Sequence, residues 1–447
     1  MNVTKKMFVA AASAAALVLC STAQAIEVVK TDKLNLNIHG RGQMIGVGQV
    51  GVPDPYRDNA RVYLFMKQAR LGFTGNYEDV KFETQFSFGG ENANGSNTDL
   101  GMLDFVADVP LPPLGKDTSV KIGQFRVPYG REGLTDRGYM NFGERSIATM
   151  ASYQTRDYGL ALQGRNSGNL VGTIGLFSGG GRDVPQRYLP ETLGVPEVVA
   201  RVGYNDGVDE DIYHVKGTDI DLSRTTKAAY LNGLFMQDTI IGHGVVQNLR
   251  TIDKNLLIDA NYNPFIIAGP NNAAGTTGGA NTLQRGRTWF VGGDAVVRHP
   301  LSNGHIVEAE AQVDWGGFYN RYGSIHIASA RAQMAYHVKP YQIGLRYAGL
   351  ALDKHAGYIN AGFKRSPAMG SVIHEITPSL SWHIKKHNLK IVADAPVYLN
   401  MPMFIEKGVG TYVFASQPGQ VTVLNTGGNT VIRRAMVEGR MMFQFMF

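Results

Sequence analysis

Cysteine is almost absent from this chain: of 447 residues only Cys20 is one. A disulfide framework is therefore excluded. Because Cys20 sits in an apolar N-terminal stretch, zinc–thiolate sites and cysteine nucleophiles are excluded from the remainder as well. Long apolar runs are also missing. Past the N-terminal stretch none reaches about 18 residues, which rules out helical membrane spans. No charge sign dominates either. The formal net charge of +6 falls to +4 without Lys5 and Lys6, too mild at this length to indicate a nucleic-acid partner. Catalytic signatures are equally thin. There is no GxSxG nucleophile elbow, and His374-Glu375 lacks the second histidine of HExxH. The chain reads as a non-enzyme with no cofactor, no metal site and no catalytic residue.

The N-terminus has the three regions of a secretory signal. Lys5 and Lys6 supply the charge, Met7 to Leu19 the apolar core, and Ala23-Gln24-Ala25 the small-residue cleavage site. The apolar core is too short to cross a bilayer as a helix, and Leu19 before Cys20 is too bulky for a lipobox. Residues 1–25 are expected to be a cleaved signal peptide, and 26–447 one domain without an internal linker or long repeat.

Glycine and aromatics are plentiful, at 54 Gly, 20 Phe and 20 Tyr. Glycine relieves crowding in curved sheets, and aromatics form the girdles of membrane barrels. The final strand is the most telling segment. Phe443, Phe445 and Phe447 share one face, and Arg440, Met442, Gln444 and Met446 share the other. An exposed row of phenylalanines invites aggregation in water, whereas in a transmembrane barrel that row faces lipid. Phe447 is accordingly read as an assembly signal. The same period of two recurs at Leu34 to Arg41, Val80 to Phe88, Ser329 to Lys339 and Gln342 to Tyr347.

Connection lengths alternate, as expected of outer-membrane barrels. Gly75 to Asp79, Asn166 to Asn169, His299 to Gly304, Lys339-Pro340 and Lys385 to Asn388 are tight. Gly89 to Asn97, Pro128 to Asp157, Gly179 to Pro196, Asn263 to Arg285 and Asn400 to Thr430 are long. Tight turns are therefore assigned to the periplasm, with both chain termini. About seventeen candidate strands appear, and an even number is required. Region 205–262 holds the ambiguity, since Lys227 to Gln237 and Asn255 to Tyr262 both look extended. Sixteen strands is the expectation and eighteen the alternative.

Two motifs fail on context. Gly46-Val-Gly48-Gln-Val-Gly51 fits the dinucleotide fingerprint, but Pro53 and Pro55 stop the helix that motif needs. His383 and His387 are four apart, yet a strand–turn–strand reading of their segment sends the two imidazoles in different directions.

From Lys121-Ile-Gly-Gln-Phe-Arg-Val-Pro-Tyr-Gly130 onward the chain resembles the phosphate-selective porin O and P family. Phe142 to Ser146, Arg156 to Gly164, Ala335 to Pro340, Arg346-Tyr347, Ser379 to Lys390 and the Phe-terminated last strand continue the resemblance in order. The resemblance implies an all-β, sixteen-stranded transmembrane antiparallel barrel in the Gram-negative outer membrane. It also implies a homotrimer, with a long third loop folded into the lumen. Outer-membrane lipid, lipopolysaccharide and the barrel-assembly machinery are the implied partners. Phosphate selectivity in that family is associated with an arginine ladder, and no Arg-x-Arg-x-Arg strand occurs here. A passive, weakly anion-preferring porin for small hydrophilic solutes is therefore expected. The alternatives are a phosphate-specific channel, or a barrel that sheathes a partner such as an electron-transfer protein.

Candidate pore-lining positions follow from alternation and from that loop. Segment 128–157 offers Arg126 at its edge, then Arg131, Arg137, Glu144 and Arg145. It is neutral overall, since Arg156, Glu132, Asp136 and Asp157 complete four charges of each sign. Wall strands offer Glu308, Glu310, Arg331, Arg346 and Arg440. Glu308 and Glu310 precede Arg331 by one strand, so antiparallel pairing can bring opposite charges together.

Overall fold

The computed structural model describes residues 25–50, 60–88, 100–115, 117–152, 156–179, 196–209, 211–215, 217, 222–238, 286–320, 323–352, 372–406, 410–412 and 430–447. The expected signal peptide up to residue 24, and the candidate strand Asn255 to Tyr262, lie outside them. The strands in order are β1 (Ile26–Lys30), β2 (Leu34–Val50), β3 (Ala60–Tyr77), β4 (Val80–Phe88), β5 (Leu100–Pro110) and β6 (Thr118–Arg126). Next come β7 (Arg156–Arg165), β8 (Leu170–Phe177), β9 (Glu197–Asn205), β10 (Thr226–Asp238), β11 (Gly286–Pro300) and β12 (Ile306–Asn320). The last are β13 (Gly323–Val338), β14 (Tyr341–Leu352), β15 (Val372–His387), β16 (Leu389–Asp394), β17 (Val397–Glu406), β18 (Gly410–Tyr412) and β19 (Thr430–Met446).

From β2 to β15 each strand pairs antiparallel with the next. β16 and β17 are two halves of one wall strand, interrupted at Ala395-Pro396, and both bridge β15 to β19. β19 then pairs with β2, from Val437↔Val50 to Met446↔Arg41, and the sheet closes. The wall is a sixteen-stranded barrel, with β1 and β18 as additional short strands. β17 and β18 occupy ground that the connection lengths assign to a loop beginning at Asn400. Alternation there is masked by Met401-Pro402-Met403.

Closure explains the terminal phenylalanines. Phe443 and Phe445 point outward from β19 while Arg440, Met442 and Gln444 are buried on the inner face. The rings of Phe447 and Phe445 lie over Gly40 and Gly42 of β2, where any Cβ would overlap them. Glycine on one strand thus seats an aromatic on its neighbour. Phe447 also exchanges backbone hydrogen bonds with Gly40, at 2.9 and 3.1 Å.

The outer face carries Leu160, Leu162, Ile174, Leu176, Val313, Trp315, Ile343, Leu345, Leu380 and Trp382, all exposed. Their inward alternates are largely polar, which is the pattern of a wall between lipid and water. All five tight turns fall at the end where the chain termini lie. Two connections depart from the length rule. β12 and β13 are joined by two residues at the opposite, outer end. At the terminal end, β9 and β10 are separated by twenty residues, 206–225.

Candidate pore constriction

The connection from β6 to β7, loop 3, turns back into the lumen and carries helical turns at Arg131–Leu134 and Ile147–Ser152. Its entry is cramped. Gly130 adopts φ 68°, a left-handed conformation that only glycine takes without strain, and Gln312 stands where a side chain would go.

Charge pairing docks the loop on the wall from β11 to β19. The Glu132 carboxylate accepts the Ser146 N–H at 3.1 Å, the Ser146 hydroxyl at 2.7 Å and Arg346 at 3.1 Å. Arg331 stands 3.6 Å from it and is paired with Glu310. Arg346 donates to Glu375 at 2.6 and 3.0 Å and to the Glu144 carbonyl at 2.9 Å, with its guanidinium over the Phe142 ring. Wall carboxylates also take loop donors. Asp394 accepts from Gly143 N–H at 2.6 Å, Glu375 from Ile147 N–H at 2.8 Å, Glu308 from Asn141 at 2.6 Å and Asp314 from Ser152 at 2.9 Å. Lys390 and Gln444 donate to the carbonyls of Met140 and Gly138, each at 2.9 Å. Burial opposes ionisation of Glu132, but Arg331 and Arg346 outweigh it and bring its pKa down to about 2.

The candidate residues therefore fall into two groups. Arg131, Arg145, Glu308, Glu310, Arg331, Arg346 and Arg440 are buried beneath or within loop 3. Arg145 donates to the carbonyls of Glu132, Gly133 and Thr135 and so ties the loop to itself. Arg440 bonds Glu438 at 2.7 Å and the Tyr398 hydroxyl at 2.5 Å. Arg298 takes Glu308 at 2.7 Å. By contrast, Arg126, Arg137 and Glu144 keep partial access to water. Arg126 lines a cavity and bonds Asp136 at 3.1 Å; Arg137 lies 3.7 Å from Glu144, which also pairs with Lys67. Phe447 borders a cavity of 670 Å³ at the end of the barrel where the chain termini lie.

Water space lies on the opposite side of the loop, along β2 to β7. A cavity of 670 Å³ is lined by Arg41, Arg70, Lys81, Glu83, Asp108 and Lys121 among others. A smaller one of 180 Å³ adds Asp104, Arg126 and Arg156 and shares His214 with the first. The arginines that do not align along one strand gather here in space, and each has a partner. Arg41 and Arg126 share Asp136, Arg156 takes Asp104 at 2.7 and 2.8 Å, and Arg70 donates to Gln85 at 3.2 Å. Burial opposes the Asp136 charge, but Arg41 and Arg126 hold its pKa well below the usual carboxylate range.

The polar face of the alternation from Val80 to Phe88 carries Lys81 and Glu83, and both line this water space. No sequence signal marks Asp209, Asp211, Tyr213 and His214, which sit in a glycine- and aspartate-rich connection without periodicity. His383 and His387 correct the sequence expectation: β15 continues to His387, so both rings share the inner face with centroids 5.0 Å apart.

Residues 38–200 match the family model for phosphate-selective porin O and P. Solved porins share the architecture. An anion-selective porin from Comamonas acidovorans superposes with a TM-score of 0.54 at 11% identity, covering 93% of this chain and all (100%) of the other. Outer-membrane OmpT of Vibrio cholerae gives 0.51 at 9% identity, covering 94% and 100%. OprB of Pseudomonas putida gives 0.52 at 11% identity, covering 92% and 94%. No curated protein sequence matches the chain. At such identities the likeness is one of fold, and the family match adds the class: an outer-membrane porin channel of a Gram-negative cell. In this porin the charged loop and the charged far wall are spent on each other, and water is left on one side.

Proposed function

We propose that this porin is a passive diffusion channel for small hydrophilic solutes and ions with a weak preference for anions. The observation that carries this reading is the charge lining of the two cavities. Arg41, Arg70, Lys81, Lys121, Arg126 and Arg156 face Glu83, Asp104, Asp108, Asp136 and Asp211, a slight cationic excess. Interleaved opposite charges cancel beyond about 8–10 Å at physiological salt, so a small excess gives a small bias. A phosphate-specific channel would need a run of cations offering bidentate contacts along the path. Here the arginines already serve carboxylates and a glutamine. Single-channel recording in a planar bilayer tests the reading. Stable ohmic steps support it, and a folded barrel that never conducts would favour a sheath for a partner.

Cleavage after Ala25 and assembly as a homotrimer belong to the same proposal. N-terminal sequencing should begin at Ile26, where β1 starts. Migration of unheated protein on a gel should give a trimer band.

A further inference from the structure

Of the twenty-residue connection after β9, the described residues 206–209, 211–215 and 217 do not stay at the periplasmic rim. Val208, Ile212, Tyr213 and Val215 are buried, and the segment meets loop 3 inside the lumen. Asp209 receives Arg131 at 2.7 and 2.8 Å, with both side chains fully buried. Val215 pairs with Thr135 through an isolated parallel bridge. The Tyr213 hydroxyl lies 2.6 Å from Thr173 on β8, and its ring packs edge-on to Phe125 with centroids 5.5 Å apart. Two segments entering from opposite mouths therefore brace each other across the channel.

One side chain of this brace faces water. His214 is 46% exposed, with Nδ1 2.7 Å from Asp211 and Nε2 3.3 Å from Glu83 on β4. The ring thus spans from the infolded segment to the barrel wall. Three cavities meet at this strut. The 670 Å³ space touches Asp211, His214 and Glu83, the 180 Å³ space touches His214 and Glu83, and a third of 400 Å³ touches Asp211. We propose that His214 is a selectivity-determining residue of the channel, an imidazolium strut between Asp211 and Glu83 that sets both the width and the charge of the narrow section.

The chemistry follows from the two partners. A carboxylate at each ring nitrogen is satisfied only when both nitrogens carry protons, which makes the ring cationic. Burial opposes that charge, but Asp211 and then Glu83 outweigh it and hold the pKa well above the ordinary histidine value. Lys121 and Arg156 also act on Glu83, so the strut sits in a balanced cluster. Removing the ring opens the path and leaves Asp211 and Glu83 without the cation between them, which lowers the cationic excess of the lining.

This inference rests on the channel reading, and one set of recordings separates the two. A wild-type barrel without conductance would overturn the channel reading itself. Given a conducting wild type, His214→Ala should raise single-channel conductance and lower the anion-to-cation permeability ratio by about twofold or more. His214→Gln keeps bulk and hydrogen bonding without charge, so the ratio should fall while conductance stays near wild type. Glu83→Gln should raise the ratio, because it frees the imidazolium. Heat-modifiable gel migration identifies folded variants, and Glu83→Gln tests the strut from the wall should either His214 variant not fold. Folded variants with wild-type conductance and wild-type ratio would overturn the inference.

Discussion

Arg346 shows what a lumenal arginine does in this barrel. Fully buried, it serves Glu375, Glu132 and the Glu144 carbonyl at once. Arg346→Ala would strand Glu375 without its cation and leave Glu132 to Arg331 alone, at a cost of about 3–5 kcal/mol for a broken buried pair. The expected outcome is a folded barrel with a loosened loop 3, seen as trypsin cleavage at Arg137 or Arg145 that the wild type resists. Glu132 supplies the pH signature. Its folded pKa is depressed, so its ionic docking is at full strength above the unfolded carboxylate value of about 4.3. That contribution is lost as pH falls toward about 2. Protease resistance of loop 3 should hold from neutral pH to about 4.3 and fade below it. Glu132→Gln should remove that acid step while weakening docking at neutral pH. Alternation tells which face Glu308, Glu310, Arg331, Arg346 and Arg440 occupy, because a strand has only two. It cannot tell what covers that face, since Arg346 meets a loop residue 202 positions away in the chain.

Among elements, loop 3 and the segment after β9 are unequally legible in the sequence. Loop 3 announces itself by its length and its balanced charges, and those charges have named partners on the wall. The other segment has no periodicity, and its Asp209–Arg131 bond joins two loops, a contact that no strand pattern encodes. Deleting Thr135 to Met150 should raise single-channel conductance, because that stretch covers the wall from β12 to β19. An unchanged conductance in a folded deletion would mean that current does not pass beside loop 3. The seam between β19 and β2 permits a separate test. Gly42→Leu would displace the Phe445 ring from its seat, and Phe447→Asp would put a charge on the strand that closes the barrel. Both should lower the yield of heat-modifiable protein in the outer membrane, with Gly42→Val intermediate. The histidine pair on β15 escapes the sequence pattern because the turn Lys385 to Asn388, with Lys386 at φ 52°, returns the His387 ring to the face that His383 occupies.

At the scale of the whole molecule, sixteen strands close a wall whose outer face is apolar and whose inner face is charged, with an infolded loop filling one side. Strand period, turn placement and the terminal aromatic row make that wall legible in the amino-acid sequence. The path through it is not legible there, because it is set by which charges are already paired. The reversal potential of single channels in a potassium chloride gradient tests this most directly. Paired arginines and a slight cationic excess give an anion-to-cation permeability ratio above one and below about ten, under about 1.4 kcal/mol of discrimination. A ratio beyond about tenfold with micromolar phosphate block, or a preference for cations, would contradict it.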